Sequence, residues 1–147
     1  MKKRRLALFD LDDTLFNGDT EGEWVKYMAN NGLIQDANFF DKMDEFTSKY
    51  RHGQWDVFEY SEFLLGPLVG KNLKELESNI NMFSSDVAER LTDDLTKELL
   101  DKHQDDEKIL TSGSLSFLVN KISNKLGICI SFGTDPEYTE GVFTGKV

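Results

Sequence analysis

Leu6-Ala7-Leu8-Phe9-Asp10-Leu11-Asp12-Asp13-Thr14-Leu15 is a short apolar run that ends abruptly in three carboxylates and a hydroxyl. Four apolar residues bounded by charge fit a strand buried on both faces better than a helix, which needs a longer periodic pattern. The acids then sit at the strand's carboxyl end, beyond which ligands bind in open α/β sheets. Residues two apart share a face of a strand. Where the strand frays into a loop, the Asp10 and Asp12 carboxylates can still converge on one ligand while Leu11 packs away. Two like charges so close raise one another's pKa unless a cation sits between them. A Mg²⁺ ion held by oxygen ligands meets that need, and such sites commonly handle phosphate.

Working outward, the 147 residues are 39% hydrophobic and 12% aromatic, enough for a packed core in one ordinary domain or two small ones. The net charge of −10, from 27 acids against 17 bases, argues against nucleic acid as the main partner. It favours a soluble protein that needs a cation to bind phosphate. Lys2-Lys3-Arg4-Arg5 is the one basic run, and the apolar stretch after it stops at Asp10, too short for a signal peptide. No apolar run approaches membrane-spanning length, so no membrane partner is expected. Cys129 is the only cysteine, which rules out an intrachain disulfide. A reducing, cytoplasmic location is expected, with Cys129 as a small buried hydrophobe.

In chain order, Phe16-Asn17-Gly18-Asp19-Thr20 is a turn cluster in which Asp19 or Thr20 can cap a helix carrying Trp24, Val25, Tyr27 and Met28. That helix stops near Asn30-Asn31-Gly32. Phe39, Phe40, Met43, Phe46 and Tyr50 recur at helical spacing up to His52-Gly53. A third helix runs from about Trp55 to Leu65, with Phe58, Ser61, Leu64 and Leu65 on one side. Asn72 and Glu75 form a capping box for a fourth, with Leu73, Leu76, Ile80 and Phe83. Four amphipathic helices with short connections predict a small helical bundle whose core holds Trp24, Trp55 and the Phe stripe. Helical periodicity continues through Val87, Leu91, Leu95 and Leu99, with a break and recapping at Thr92-Asp93. His52 and His103 fall near helix ends, where a charge-compensating surface role is expected.

The period then changes. Lys108-Ile109-Leu110-Thr111 predicts a buried strand, Phe117, Leu118, Ile122 and Leu126 a helix, and Ile128-Cys129-Ile130-Ser131-Phe132 another strand. Strand, helix, strand is a βαβ unit with a parallel sheet. Tyr138 to Val147 predicts a hairpin around Glu140-Gly141. Between the second strand and its helix lies Thr111-Ser112-Gly113-Ser114, where a hydroxyl and a glycine amide at a helix start form a phosphate cradle.

Phe9-Asp10-Leu11-Asp12-Asp13-Thr14-Leu15 resembles the first signature, DxDx(T/V), of the haloacid dehalogenase superfamily. Leu110-Thr111-Ser112 resembles its second, and Ser112-Gly113-Ser114-Leu115-Ser116-Phe117 is similar to the corresponding run of the phosphoserine phosphatase-like members. Further likeness to the IB subfamily lies in Gly18-Asp19, Trp24, Tyr50-Arg51-His52-Gly53, Gly66-Pro67-Leu68-Val69-Gly70, His103 and Gly141 to Val147. The resemblance covers nearly the whole chain. It implies an α/β fold: a partial Rossmann-like parallel sheet core at 1–16 and 92–147, with an inserted four-helix cap at 17–91. It implies Asp10 as nucleophile, Asp12 as general acid/base, Thr14 as a loop support and Mg²⁺ on the Asp10 carboxylate and the Asp12 main-chain carbonyl. Phosphate would lie on Ser112 and the Gly113 amide, with Thr111 the alternative hydroxyl. Asp13 would do no chemistry, and Glu21 and Arg51 would be the cap residues able to touch substrate.

The superfamily's third signature, a Lys, and its fourth, a Gly-Asp-x-x-x-Asp type pair, are not found by motif before Val147. The expectation is the first two thirds of a Mg²⁺-dependent phosphatase for a small phosphomonoester, impaired on its own, with β-sheet edge exposure favouring a homodimer. One alternative is a non-catalytic remnant that binds phosphate or a protein. Another is a receiver-like module, which fares worse because its phosphoacceptor Asp belongs at the end of the third strand, where Ser131-Phe132-Gly133 stands.

Overall fold

The computed structural model describes residues 5–147, so of the basic run Lys2-Lys3-Arg4-Arg5 only Arg5 lies within the described residues. The first strand, β1, is Leu6–Asp10. Helices α1 (Thr20–Asn30), α2 (Phe39–Arg51), α3 (Val57–Leu65), α4 (Leu73–Leu91) and α5 (Asp94–Lys102) follow. Then come β2 (Glu107–Leu115), α6 (Ser116–Lys125), β3 (Ile130–Thr134) and the short pair β4 (Tyr138–Thr139) and β5 (Val142–Phe143). β1, β2 and β3 form a parallel sheet in that order, and β4 and β5 an antiparallel pair. The fold is α/β, a Rossmann-like parallel sheet with a helical insertion after its first strand.

Two compact units divide the chain. One takes the chain up to Trp24 together with Glu77–Asp135, the other Val25–Leu76 with Pro136–Val147. In the first, Phe9, Leu11, Leu15, Leu110, Leu115 and the α6 residues Leu118, Val119 and Ile122 are buried. Trp24 packs edge-on to Phe83 and Phe117. In the second, Met28, Leu64, Leu65, Leu68 and Phe143 are buried, and Phe39 stacks on Phe63 at 4.5 Å.

Helix boundaries follow local chemistry. The predicted capping box is present, with Glu75 N–H donating to Asn72 Oδ1 at 2.9 Å and Asn72 N–H to Glu75 Oε2 at 3.0 Å. The break after Leu91 is recapped by Asp93, whose carboxylate accepts from Thr96 N–H at 3.0 Å. α3 starts two residues later than expected because Asp56 takes the N–H groups of Phe58 and Glu59. The hairpin turns at Glu140-Gly141, where φ values of 52° and 82° match the paired left-handed residues of a type I′ turn.

Several expectations are overturned. β1 is not buried on both faces: Ala7 and Phe9 point inward, but Leu6 and Leu8 are 62% and 68% exposed. β1 has β2 on one side only, and among the described residues nothing covers its alternate face. Cys129 is exposed, because β3 starts at Ile130 and the buried residue of that stretch is Ile128. Phe58, placed on the apolar side of α3, is 65% exposed, and Phe40 and Tyr50 are exposed as well. The stripe of α5 is likewise shifted: Thr96 is buried and Leu95 exposed.

The largest difference is in β2, which continues through Ser112-Gly113-Ser114 to Leu115 with a register irregularity between Thr111 and Leu115. β3 can accompany it only because of Gly133. A Cβ there would lie 2.7 Å from the Ser114 carbonyl oxygen and 2.7 Å from Ser116 Cα. Gly133→Ala is therefore expected to force the backbone apart and to destabilise the protein by about 1–3 kcal/mol, the usual cost of overpacking. The midpoint of urea unfolding checks this, and an unchanged midpoint would contradict it.

Candidate active site

Past Asp10 the chain makes one wide turn, closed by the Phe16 N–H donating to the Leu11 carbonyl at 2.9 Å. Leu11 and Leu15 are buried, which anchors the loop and leaves the polar residues between them at its surface. Asp13 holds a left-handed conformation, φ 54°, which Asp tolerates better than most residues, and its N–H donates to the Gly18 carbonyl at 3.1 Å. The turn presents Asp10 and Asp12 to different neighbours.

Asp10 Oδ2 accepts the Thr14 hydroxyl at 3.0 Å, so Thr14 bonds directly to the carboxylate. The Asp12 carboxylate is surrounded by donors. Its Oδ1 accepts the backbone N–H of Thr20 at 2.7 Å and also the Thr20 hydroxyl. Its Oδ2 accepts Ser114 Oγ at 3.0 Å and Ser112 Oγ at 3.4 Å. Ser112 Oγ in turn accepts the Ser114 N–H at 3.1 Å. Thr111, the alternative hydroxyl, donates to the Phe9 carbonyl at 3.3 Å and so faces β1.

The structure thus brings Asp12 and Ser112 together, and Asp10 and Thr14. It does not set Ser112 and Gly113 at a helix start, since α6 begins at Ser116. The cradle expected there lies within an extended β2. Thr20 and Ser114 were not identified from sequence as residues of the site. Thr20 reads as a helix cap, but Asp19 does that work, accepting the N–H groups of Glu21 and Gly22 at 3.1 Å each. A clue was available for Ser114, because it lies two residues from Ser112 and so shares its face on a strand.

The local electrostatics are one-sided. Among the described residues no lysine or arginine pairs with Asp10, Asp12, Asp13, Asp19 or Glu21. Burial, and then the neighbouring Asp12, push the Asp19 carboxyl above its ordinary range. Glu21 is pushed further, to about 8, by burial first and then by Asp19 and Asp12. Arg51 lies at the end of α2, in the other compact unit.

As a metal site, the group offers hard oxygen donors, which suit Mg²⁺. No cluster of three or more His, Cys, Asp or Glu able to hold a metal occurs among the described residues. Mg²⁺ does not require one, because it commonly binds through one or two carboxylates with waters and substrate phosphate filling the shell. Asp10 fits that mode, since only one of its oxygens is engaged by a described residue.

The sequence matches the haloacid dehalogenase-like hydrolase family over residues 7–147. A histidinol-phosphatase from Neisseria meningitidis serogroup C is 28% identical over 146 residues, covering 97% of this chain and 66% of that protein. A phosphoserine phosphatase from Methanocaldococcus jannaschii is 25% identical over 146 residues, covering 99% of this chain and 63% of that protein. The chain spans less than two thirds of the length of these curated relatives. A crystal structure of a protein of unknown function from Bordetella pertussis Tohama I superposes with a TM-score of 0.87 at 30% identity, covering 99% of this chain and 66% of that one.

Glu21 yields a pH prediction. Below its ordinary pKa of 4.5 the carboxyl is protonated in both folded and unfolded chains. Between 4.5 and about 8 only the folded chain keeps the proton, so this group's contribution to stability falls as pH rises through that window and then levels. In metal-free buffer Glu21→Gln should match the parent protein at pH 4 and become progressively the more stable of the two up to pH 8. Thermal melts across that range check it, and parallel pH profiles would contradict it.

Proposed function

Because the chain belongs to the haloacid dehalogenase-like hydrolase family, we propose that it carries the nucleophile and acid/base half of a phosphomonoesterase site acting on a small phosphorylated metabolite. The observation that carries this reading is the delivery of Asp10 and Asp12 from the end of β1, with Asp12 hydrogen-bonded to Ser112 and Ser114 of β2. In the proposed reaction Asp10 attacks phosphorus in line, an aspartyl oxygen–phosphorus bond forms, and the ester oxygen–phosphorus bond breaks. Asp12 gives its proton to the leaving alcohol. Asp12 then takes a proton from water, whose oxygen displaces the aspartyl oxygen and frees phosphate and Asp10. Thr14 holds the Asp10 carboxylate in line, and Ser112 with Gly113 faces a phosphate oxygen. Mg²⁺, held by the Asp10 carboxylate and the Asp12 carbonyl, would neutralise phosphate charge.

Residues 17–91 serve in this reading as the specificity-setting cap of a core formed by 1–16 and 92–147. Phosphorylated alcohols of the type named for the relatives, histidinol phosphate and phosphoserine, are the substrate class. A cytoplasmic, reducing setting suits the single exposed thiol of Cys129. A second reading, a non-catalytic phosphate- or protein-binding protein, is favoured by one observation: the Ser112 and Ser114 hydroxyls already donate to Asp12.

Hydrolysis of an aryl phosphate by the purified chain, with and without Mg²⁺ and beside Asp10→Asn, separates the two. Slow turnover that needs both Mg²⁺ and Asp10 is the expected result. Each electrostatic clamp of a phosphoryl site is worth ~10²–10³ in rate, and turnover slower than that of the relatives is expected. A rate no greater than that of Asp10→Asn would favour the binding reading. The open edge of β1, with Leu6 and Leu8 exposed, supports self-association. Sedimentation velocity should show a dimer for the parent chain and a monomer for Leu8→Lys, and a monomeric parent would remove that proposal.

A further inference from the structure

The Asp12 carboxylate receives four hydrogen bonds from two elements far apart in sequence, two on each oxygen. An ionised carboxylate has about four acceptor sites, two on each oxygen, so these four donors fill its complement with protein groups. Two of the donors are side chains with no other evident task. Thr20 is fully buried, yet Asp19 already caps α1, so the Thr20 hydroxyl is not needed for the helix start. Ser114 is 3% exposed, and its hydroxyl reaches Asp12 at the irregular end of β2, where a buried hydroxyl without a partner would be costly.

We propose that Thr20 and Ser114 are positioning residues that fix the Asp12 carboxylate in one orientation, Thr20 from the start of α1 and Ser114 from β2. The inference rests on the reading of Asp12 as the proton carrier. Thr20 is suited to the task because its N–H and hydroxyl both reach Oδ1, which fixes direction as well as distance. Ser114 is suited because its own N–H is tied to Ser112 Oγ, so the two serines bear on Oδ2 as one braced pair. Gly133 makes this possible, leaving room for the Ser114 carbonyl beside β3.

Proton carriers act only when held within ~0.5 Å of productive geometry, and a misplacement of ~1 Å can cost ~10²-fold in rate. The test uses the full chain in four forms: Thr20→Ser, which keeps the hydroxyl; Thr20→Val, which keeps the volume; Ser114→Ala; and the Thr20→Val/Ser114→Ala double variant. Crystal structures of each are expected to show Asp12 in place in Thr20→Ser and displaced by more than ~0.5 Å in the double variant. Where the parent hydrolyses an aryl phosphate, the double variant should lose ~10²-fold in kcat with KM unchanged, and Thr20→Ser should retain the parent kcat. If the double variant does not fold, Ser114→Ala decides alone: it leaves Oδ2 only the longer Ser112 contact, and Asp12 should rotate. An Asp12 carboxylate that keeps its place in the double variant or in Ser114→Ala, or an unchanged kcat, overturns the proposal. Absence of turnover in the parent bears on the phosphatase reading alone, and the displacement of Asp12 still decides this one.

Discussion

Everything around the end of β1 answers one constraint: several carboxylates share a small region in which no described lysine or arginine pairs with them. Each acid meets the constraint differently. Asp12 is surrounded by hydrogen-bond donors, two on each carboxylate oxygen. Asp19 spends its charge on the positive start of α1, where backbone N–H groups are unpaired. Glu21, partly buried beside both, holds its proton to about pH 8. Asp10 takes one hydroxyl from Thr14 and keeps an oxygen available to a ligand. The charge repulsion that would otherwise open this loop is distributed over donors, a helix end and a proton.

That arrangement depends on the sheet. β2 continues past the expected stopping point at Thr111, and its irregular end turns Ser112 and Ser114 toward the same carboxylate oxygen. Gly133 lets β3 follow it closely, and Thr134 Oγ1 then donates to the Gly113 carbonyl at 2.6 Å. The backbone on which the serines sit is thus braced by its neighbour. On the opposite side β1 has no partner among the described residues, and the exposed side chains of Leu6, Leu8 and Phe132 share one face of the sheet through the pairings Leu8↔Ile109 and Thr111↔Phe132. An apolar face of this kind is uncommon on an isolated soluble domain.

Much of the helical insertion is legible in the residues. The Asn72/Glu75 box, the Asp93 recapping and the Glu140-Gly141 turn are local devices whose partners lie within three residues. The apolar period also identifies α1 to α4. It fails at Phe58 and Leu95, because a periodic stripe shows which residues lie on the same side but not how far the neighbouring elements extend over it. The strand assignment of β1 holds while its burial does not, for the same reason: Ala7 and Phe9 are covered, and the alternate positions Leu6 and Leu8 are exposed. Cys129 differs because a shift of two residues in the start of β3 moves it from strand interior to loop.

The sequence by itself determined that acids follow a short strand, that helices intervene, and that hydroxyls and a glycine belong to the region of a later strand. These are properties of composition, capping and period over a few neighbouring residues. Only the tertiary structure decided that Thr20 turns away from its own helix toward Asp12, that Ser114 joins Ser112 there, and that Glu21 keeps a proton. Ser112 and Ser114 lie 100 and 102 residues from Asp12 along the chain. Which donor meets which oxygen, and how much water a carboxylate loses, follow from packing across that distance, and no local pattern encodes them.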